Sequence, residues 1–129
     1  MVAQPFLYFE GRCQEAIEFY KEAIGARVGM VHHYGNTPGA KGGADKVMYA
    51  SLGIGDKTML LSDGKCTGKA SFKGFSMSLT VADPARAKKL FKALGKGGKV
   101  TSPMTKTFFS PAFGMLVDRF GVAWMVYAE

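Results

Sequence analysis

Carboxylates are scarce in this chain: 10 Asp and Glu stand against 17 Lys and Arg in 129 residues, a formal net charge of +7. Such an excess asks for an anionic partner, yet Lys88, Lys89, Lys92, Lys96 and Lys99 fall mostly on the outer face of one predicted helix. The one aromatic among them, Phe91, falls on the inward stripe of that helix, and no nucleic-acid motif lies beside them. They read as a solvated, solubilising face, and no nucleic acid is expected. Cysteine is nearly absent. Cys13 and Cys66 form no paired motif, so the chain offers no disulfide framework and a reducing cytoplasm is the expected location. No apolar run approaches a membrane span and no charged-apolar-small leader opens the chain, so no membrane association is expected. Histidine is limited to the neighbours His32 and His33. Adjacent residues of a strand point to opposite faces, so the two are poorly placed to chelate one metal. Gly39, Lys41, Gly42 and Gly43 are followed by no Gly-Lys-Ser/Thr and sit in no strand-to-helix context, which excludes a phosphate-binding loop.

What is present is enough apolar residue, 47%, for one domain with a core. The chain is organised around Thr107 to Tyr127. There the runs Phe113 to Val117 and Val122 to Tyr127 flank Asp118-Arg119-Phe120-Gly121, a hairpin whose Gly121 supplies positive φ. The second run is almost wholly apolar, as in a strand covered on both faces. Earlier in the chain, Pro5 to Phe9 reads as a strand. Cys13 to Ile24 reads as a helix with Cys13, Ile17, Tyr20 and Ile24 on one stripe, closed by Gly25. Arg27 to Tyr34, Val47 to Leu52 and Lys57 to Ser62 read as three further strands. Gly35 to Lys46 reads as a mobile flap and 64–73 as a linker.

The pattern then repeats. Phe75 to Val81 alternates Phe75, Met77, Leu79 and Val81 with Ser76, Ser78 and Thr80; Asp83-Pro84 begins a helix that ends near Gly95. Lys99 to Phe108 is extended and interrupted by Pro103, and the closing hairpin follows. Phe19 to Gly25 followed by Arg27-Val28 resembles Leu90 to Gly95 followed by Lys99-Val100, a period of about 70 residues that marks a duplicated supersecondary unit. One domain over 1–129 is therefore expected, of α+β class, with modules at about 1–63 and 74–129. Each module cannot cover both sides of its sheet alone.

Helix 1 with Gly-Arg-Cys-Gln-Glu-Ala-Ile-Glu-Phe-Tyr resembles the PhnB-like branch of the glyoxalase/bleomycin-resistance (vicinal oxygen chelate) superfamily. So do Leu-Leu-Ser-Asp at 60–63, Phe-Phe-Ser-Pro-Ala-Phe-Gly-Met at 108–115 and Asp-Arg-Phe-Gly-Val-Ala-Trp-Met at 118–125. Members of this branch often carry a demethylubiquinone methyltransferase label. The resemblance covers essentially the whole chain. It implies two βαβββ modules forming a U-shaped mixed sheet around a concave pocket, helices outside, in a homodimer. An edge-rich sheet also needs cover, which a second copy can give.

Metal-dependent members place one His, Gln or Glu on each of strands 1, 4, 5 and 8. Laid on this chain, those positions fall on Pro5 (Gln4 with a slip of one), Leu60, Ser76 and Met125. Those residues do not supply the three or four donors a divalent ion needs, so neither metal nor other cofactor is expected. The implied pocket then holds Ser76, Ser78 and Thr80 on one arm and Met125 and Tyr127 on another, with Met59 or Leu60 across from them. Phe109 stands at its mouth or at a dimer seam, or else packs in the core. That mixture suits a small, partly apolar organic molecule. Binding without catalysis is the expectation. The alternative is a metal-independent or unconventional enzyme using His32, His33 or Asp63. Methyl transfer finds no glycine-rich cofactor loop followed by a ribose-binding acid. Cys13, at a helix start that can activate a thiol, reads as a buried anchor.

Overall fold

The computed structural model describes residues 1–35, 43–66 and 68–129, and the expected flap therefore lies mostly outside the described residues. The chain divides into two units, Met1–Ala70 and Ser71–Glu129.

In the first unit, β1 is limited to Phe6–Tyr8. Pro5 before it has no N–H to give, but its carbonyl accepts Leu60 N at 2.9 Å. Helix α1 (Cys13–Ile24) follows, burying Cys13, Ala16, Ile17 and Tyr20 on one stripe and ending at Gly25, which takes φ 68° as a left-handed cap. Strands β2 (Arg27–His33), β3 (Val47–Ile54) and β4 (Lys57–Ser62) complete the sheet in the order β1-β4-β3-β2. β1 and β4 run parallel and the other pairs antiparallel. Leu7, Ala50, Leu52, Met59 and Leu61 are buried on the helix side. β2 slips register between Val28 and Val31, and in this bulge Met30 N–H donates to the Ser51 hydroxyl at 3.0 Å.

The second unit repeats the plan. β5 (Met77–Val81), α2 (Pro84–Leu94), β6 (Lys99–Thr105), β7 (Phe113–Val117) and β8 (Ala123–Ala128) give the order β5-β8-β7-β6, with β5 and β8 parallel. Asp83 caps α2 by accepting Ala85 N at 3.0 Å, and Pro84 opens it, the pair the sequence signals. Ala87, Phe91 and Leu94 face the sheet. The duplicated unit read from the sequence is thus two four-stranded mixed sheets of identical strand order, each with one helix.

Three expectations change. β5 starts at Met77 and not at Phe75: by register Phe75 would oppose Val122, whose N–H is already held by the Asp118 carboxylate at 3.0 Å. β6 continues through Pro103 as one edge strand, where a missing N–H costs no ladder bond, and the interruption shows only in its pairing, which slips register between Val100 and Ser102 and again between Ser102 and Thr105. β8 is not covered on both faces. Trp124, Val126 and Ala128 are buried, whereas Ala123, Met125 and Tyr127 are only half-buried.

Candidate functional site

On the second sheet the register decides which side chains share a face. Ser78 opposes Met125 and Thr80 opposes Tyr127; on the other side of β8, Met115 opposes Met125 and Phe113 opposes Tyr127. Directly opposed residues project to the same side of a sheet. Ser78, Thr80, Met125, Tyr127, Met115 and Phe113 therefore stand together on the face turned away from α2, while Met77, Leu79, Leu116, Trp124 and Val126 take the helix side. Ser78 and Thr80 are exposed. Ser76 lies one residue before β5 and is exposed, outside the ladder. Met115 was not among the residues singled out from the sequence. The alternation of Phe113, Met115 and Val117 held the signal, but only the pairing with β8 gives it an address.

Beside this face the loop 106–112 carries Phe108 and Phe109. Phe109 packs edge-to-face on both Phe108 and Phe113, each at 5.1 Å, and Phe113 continues to Tyr127 at 6.0 Å. The loop is clamped. Thr107 N donates to Ser110 O at 2.8 Å and Ser110 N to the Thr107 hydroxyl at 3.0 Å. The buried Ser110 hydroxyl reaches Ala128 O at 2.5 Å.

The first sheet has a comparable uncovered face. Leu60 opposes Phe6 and Ser51, and Phe6 stacks on Tyr8 at 5.0 Å and meets Tyr49 at 5.9 Å. Met59 does not belong to that face. It opposes Leu52 and is 1% exposed in the core beside α1, so of the alternatives Met59 and Leu60 only Leu60 can reach a ligand. The one-residue difference reverses the side, as the period of two requires.

The catalytic candidates separate. His32 opposes Tyr49 and His33 opposes Val47 on the edge strand β2; both are exposed, with a register slip between them. Asp63 is buried and its carboxylate is occupied by backbone. Oδ1 accepts Gly11 N at 2.9 Å and Cys13 N at 2.8 Å, and Oδ2 accepts Val47 N at 2.7 Å. It thereby caps α1, whose N-cap residue Arg12 makes no side-chain cap bond. A carboxylate spent on three amides has little left for a substrate proton. Cys13 is fully buried, and burial, reinforced by the Asp63 charge, pushes its thiol far up, which disfavours the thiolate. The Cys66 thiol is also raised, by desolvation first and then by Asp63 and Glu10.

The metal positions implied by the superfamily do not face one another across these strands. Met125 meets Ser78, not Ser76, across β5, and Leu60 meets Phe6, not Pro5, across β1. Leucine and phenylalanine offer no lone pair, and a thioether with one neutral hydroxyl does not make a hard divalent site. No group of three His, Cys, Asp or Glu suited to a metal occurs among the described residues. The residues do not fit the ion. No helix among the described residues is long and apolar enough to cross a membrane.

Two βαβββ units of this order define the glyoxalase/bleomycin-resistance fold. The chain shares it with the fosfomycin resistance protein FosX from Mesorhizobium loti, at TM-score 0.65 over 100% of this chain and 91% of that one, with 11% identity. A family model described as 3-demethylubiquinone-9 3-methyltransferase matches residues 2–127, and the chain belongs to this PhnB-like family. It is similar to the solved protein PA1353 from Pseudomonas aeruginosa, with TM-score 0.89 and 38% identity over 100% of this chain and 98% of that one. It is also 30% identical over 138 residues to Protein YjdN of Escherichia coli K12, spanning 98% of this chain and 94% of the relative.

Proposed function

We propose that this PhnB-like protein binds a small organic molecule without a metal, on the uncovered face of the second sheet. The observation that carries the reading is the register that sets Ser78 and Thr80 beside Met125 and Tyr127 on the side away from α2. Hydroxyls orient a polar group there and the thioether adapts to an apolar body. The family's description names a methyl transfer. The links that a nucleotide-type cofactor would use, Phe9-Glu10-Gly11-Arg12 between β1 and α1 and Ala82-Asp83 between β5 and α2, hold one glycine between them. Binding is the function that these residues support.

Ser78→Phe tests it. Ser78 is exposed, so the ring should meet no core and stability should stay within about 0.5 kcal/mol of the parent, as for ordinary surface changes. Binding of any metabolite found in a thermal-shift screen should be lost. A variant that binds every hit with unchanged affinity, measured by calorimetry, would place the site elsewhere.

We also propose that the protein pairs with a second copy of itself. Among the described residues both sheets end in edge strands, β1 and β2 in one and β5 and β6 in the other, each open on its outer side. Light scattering should give a mass twice the 13.9 kDa of one chain. A mass of one chain at micromolar concentration would refute the pairing.

A further inference from the structure

The second sheet's uncovered face carries its chemistry in ordered rows. The hydroxyl row on β5 is Ser78 and Thr80. The next rows are Ala123, Met125 and Tyr127 on β8 and Phe113, Met115 and Val117 on β7. From Tyr127 the rings run on through Phe113 and Phe109 to Phe108, with successive centroids 6.0, 5.1 and 5.1 Å apart.

Among the described residues, no hydrogen bond engages the hydroxyls of Ser78, Thr80 or Tyr127. Those of Ser51, Ser62, Thr107 and Ser110 all have backbone partners. Phe108 is fully exposed and Phe109 is 55% exposed, on a loop whose turn is closed by hydrogen bonds of Thr107 and Ser110. Contiguous rings exposed to water mark a contact surface.

Charge narrows the occupant. The rows on β5, β8 and β7 contain no Asp or Glu and no Lys, Arg or His. The cation registered on this side, Lys99, opposes Val117 on β6, the edge opposite to β5. A phosphonate, phosphate or carboxylate set against Ser78 and Thr80 would lose its hydration without a fork of cationic donors to replace it. An uncharged flat ring loses little. Its faces are matched by thioethers and ring edges, and its hydroxyl or carbonyl groups by the free hydroxyls.

We infer, resting on the reading that this face binds a small molecule, that its ligand class is the uncharged, planar aromatic compound with hydroxyl or carbonyl groups along one edge. The ring system lies over Met115 and Met125 against Phe113 and Phe109. The polar edge meets Ser78, Thr80 and the Tyr127 phenol.

The test uses the full chain with carbon-13-labelled methionine methyls, assigned through Met115→Leu and Met125→Leu. It is titrated separately with a naphthol, the fully saturated decalinol and naphthyl phosphate. The naphthol should move the Met115 and Met125 methyls upfield through its ring current. The decalinol and the phosphate should each bind about tenfold more weakly, the scale of lost ring contacts and of an uncompensated charge. Tyr127→Phe should weaken the naphthol about fivefold, the scale of one neutral hydrogen bond.

If the decalinol or the phosphate binds at these methyls as tightly as the naphthol, and Ser78→Phe blocks it, the ligand class is wrong while the site stands. If none of the probes moves these methyls but another compound does so in a Ser78-dependent way, the class is again wrong. If ligands bind and Ser78→Phe changes none of them, the site itself is wrong.

Discussion

Asp63→Ala is expected to lose roughly 4 kcal/mol of folding stability, because it strands three backbone donors at once, each costing about 1–3 kcal/mol where water cannot reach it. Cys13 N and Val47 N are buried and have the Asp63 oxygens as partners at 2.8 and 2.7 Å; Gly11 N is part-buried at 2.9 Å. The three amides belong to the turn after β1, the first turn of α1 and the first residue of β3, so one carboxylate ties three segments to the end of β4. Asp63→Asn should fall between parent and alanine variant, since its amide keeps one acceptor oxygen and turns a donor toward another donor. Urea titration followed by circular dichroism measures the loss. An alanine variant that keeps its stability within about 1 kcal/mol, the scale of a single net hydrogen bond, would remove the structural role. If such a variant also lost ligand binding or turnover, Asp63 would return as a catalytic group.

The second large effect belongs to Asp118, a buried carboxylate of the other unit, in the link between β7 and β8. Its Oδ1 accepts Phe120 N at 2.9 Å and Val122 N at 3.0 Å, and its Oδ2 accepts the Trp124 indole N–H at 2.9 Å. Gly121, at φ 95°, lets the chain turn tightly enough for these donors to converge, and its own N–H bonds Asp118 O at 3.0 Å. In Asp118→Asn the Oδ1 contacts can persist, but the amide nitrogen then faces the indole N–H, donor against donor. The loss should be on the order of 3 kcal/mol, a charge-assisted bond plus an unpaired buried donor. Trp124 is the single tryptophan, so one indole N–H proton resonance reports the site directly. It should move upfield in the variant, as a weakened hydrogen bond requires. An unmoved resonance with unchanged stability would show that the carboxylate is not its partner.

These two aspartates mark how far local sequence signals reach. Asp118 sits in a four-residue link between two apolar runs, and its turn role was legible there because its backbone partners are two and four residues away. Asp63 follows a strand and looked like one of three weak acid-base candidates. Its partners lie 16, 50 and 52 residues away, and no local pattern announces bonds of that span. Met59 shows the same limit on a smaller scale. Met59-Leu60-Leu61 is apolar throughout, so it carries no alternation to say which residue faces the core. Pairing with Leu52 decides it.

Sequence by itself determined the duplicated βαβββ plan, because apolar periodicity, the Asp83-Pro84 start and the Gly25 stop each act within a few residues. It determined the α1 and α2 stripes for the same reason. It also determined the sided character of Met77 to Val81, where Ser78 and Thr80 alternate with apolar side chains. The tertiary structure alone decided which residues become neighbours across strands: Ser78 with Met125, Met115 with Met125, Phe6 with Leu60. Those pairings follow from hydrogen-bond registers between segments far apart in the chain. A shift of one residue would exchange the faces while leaving every local propensity unchanged.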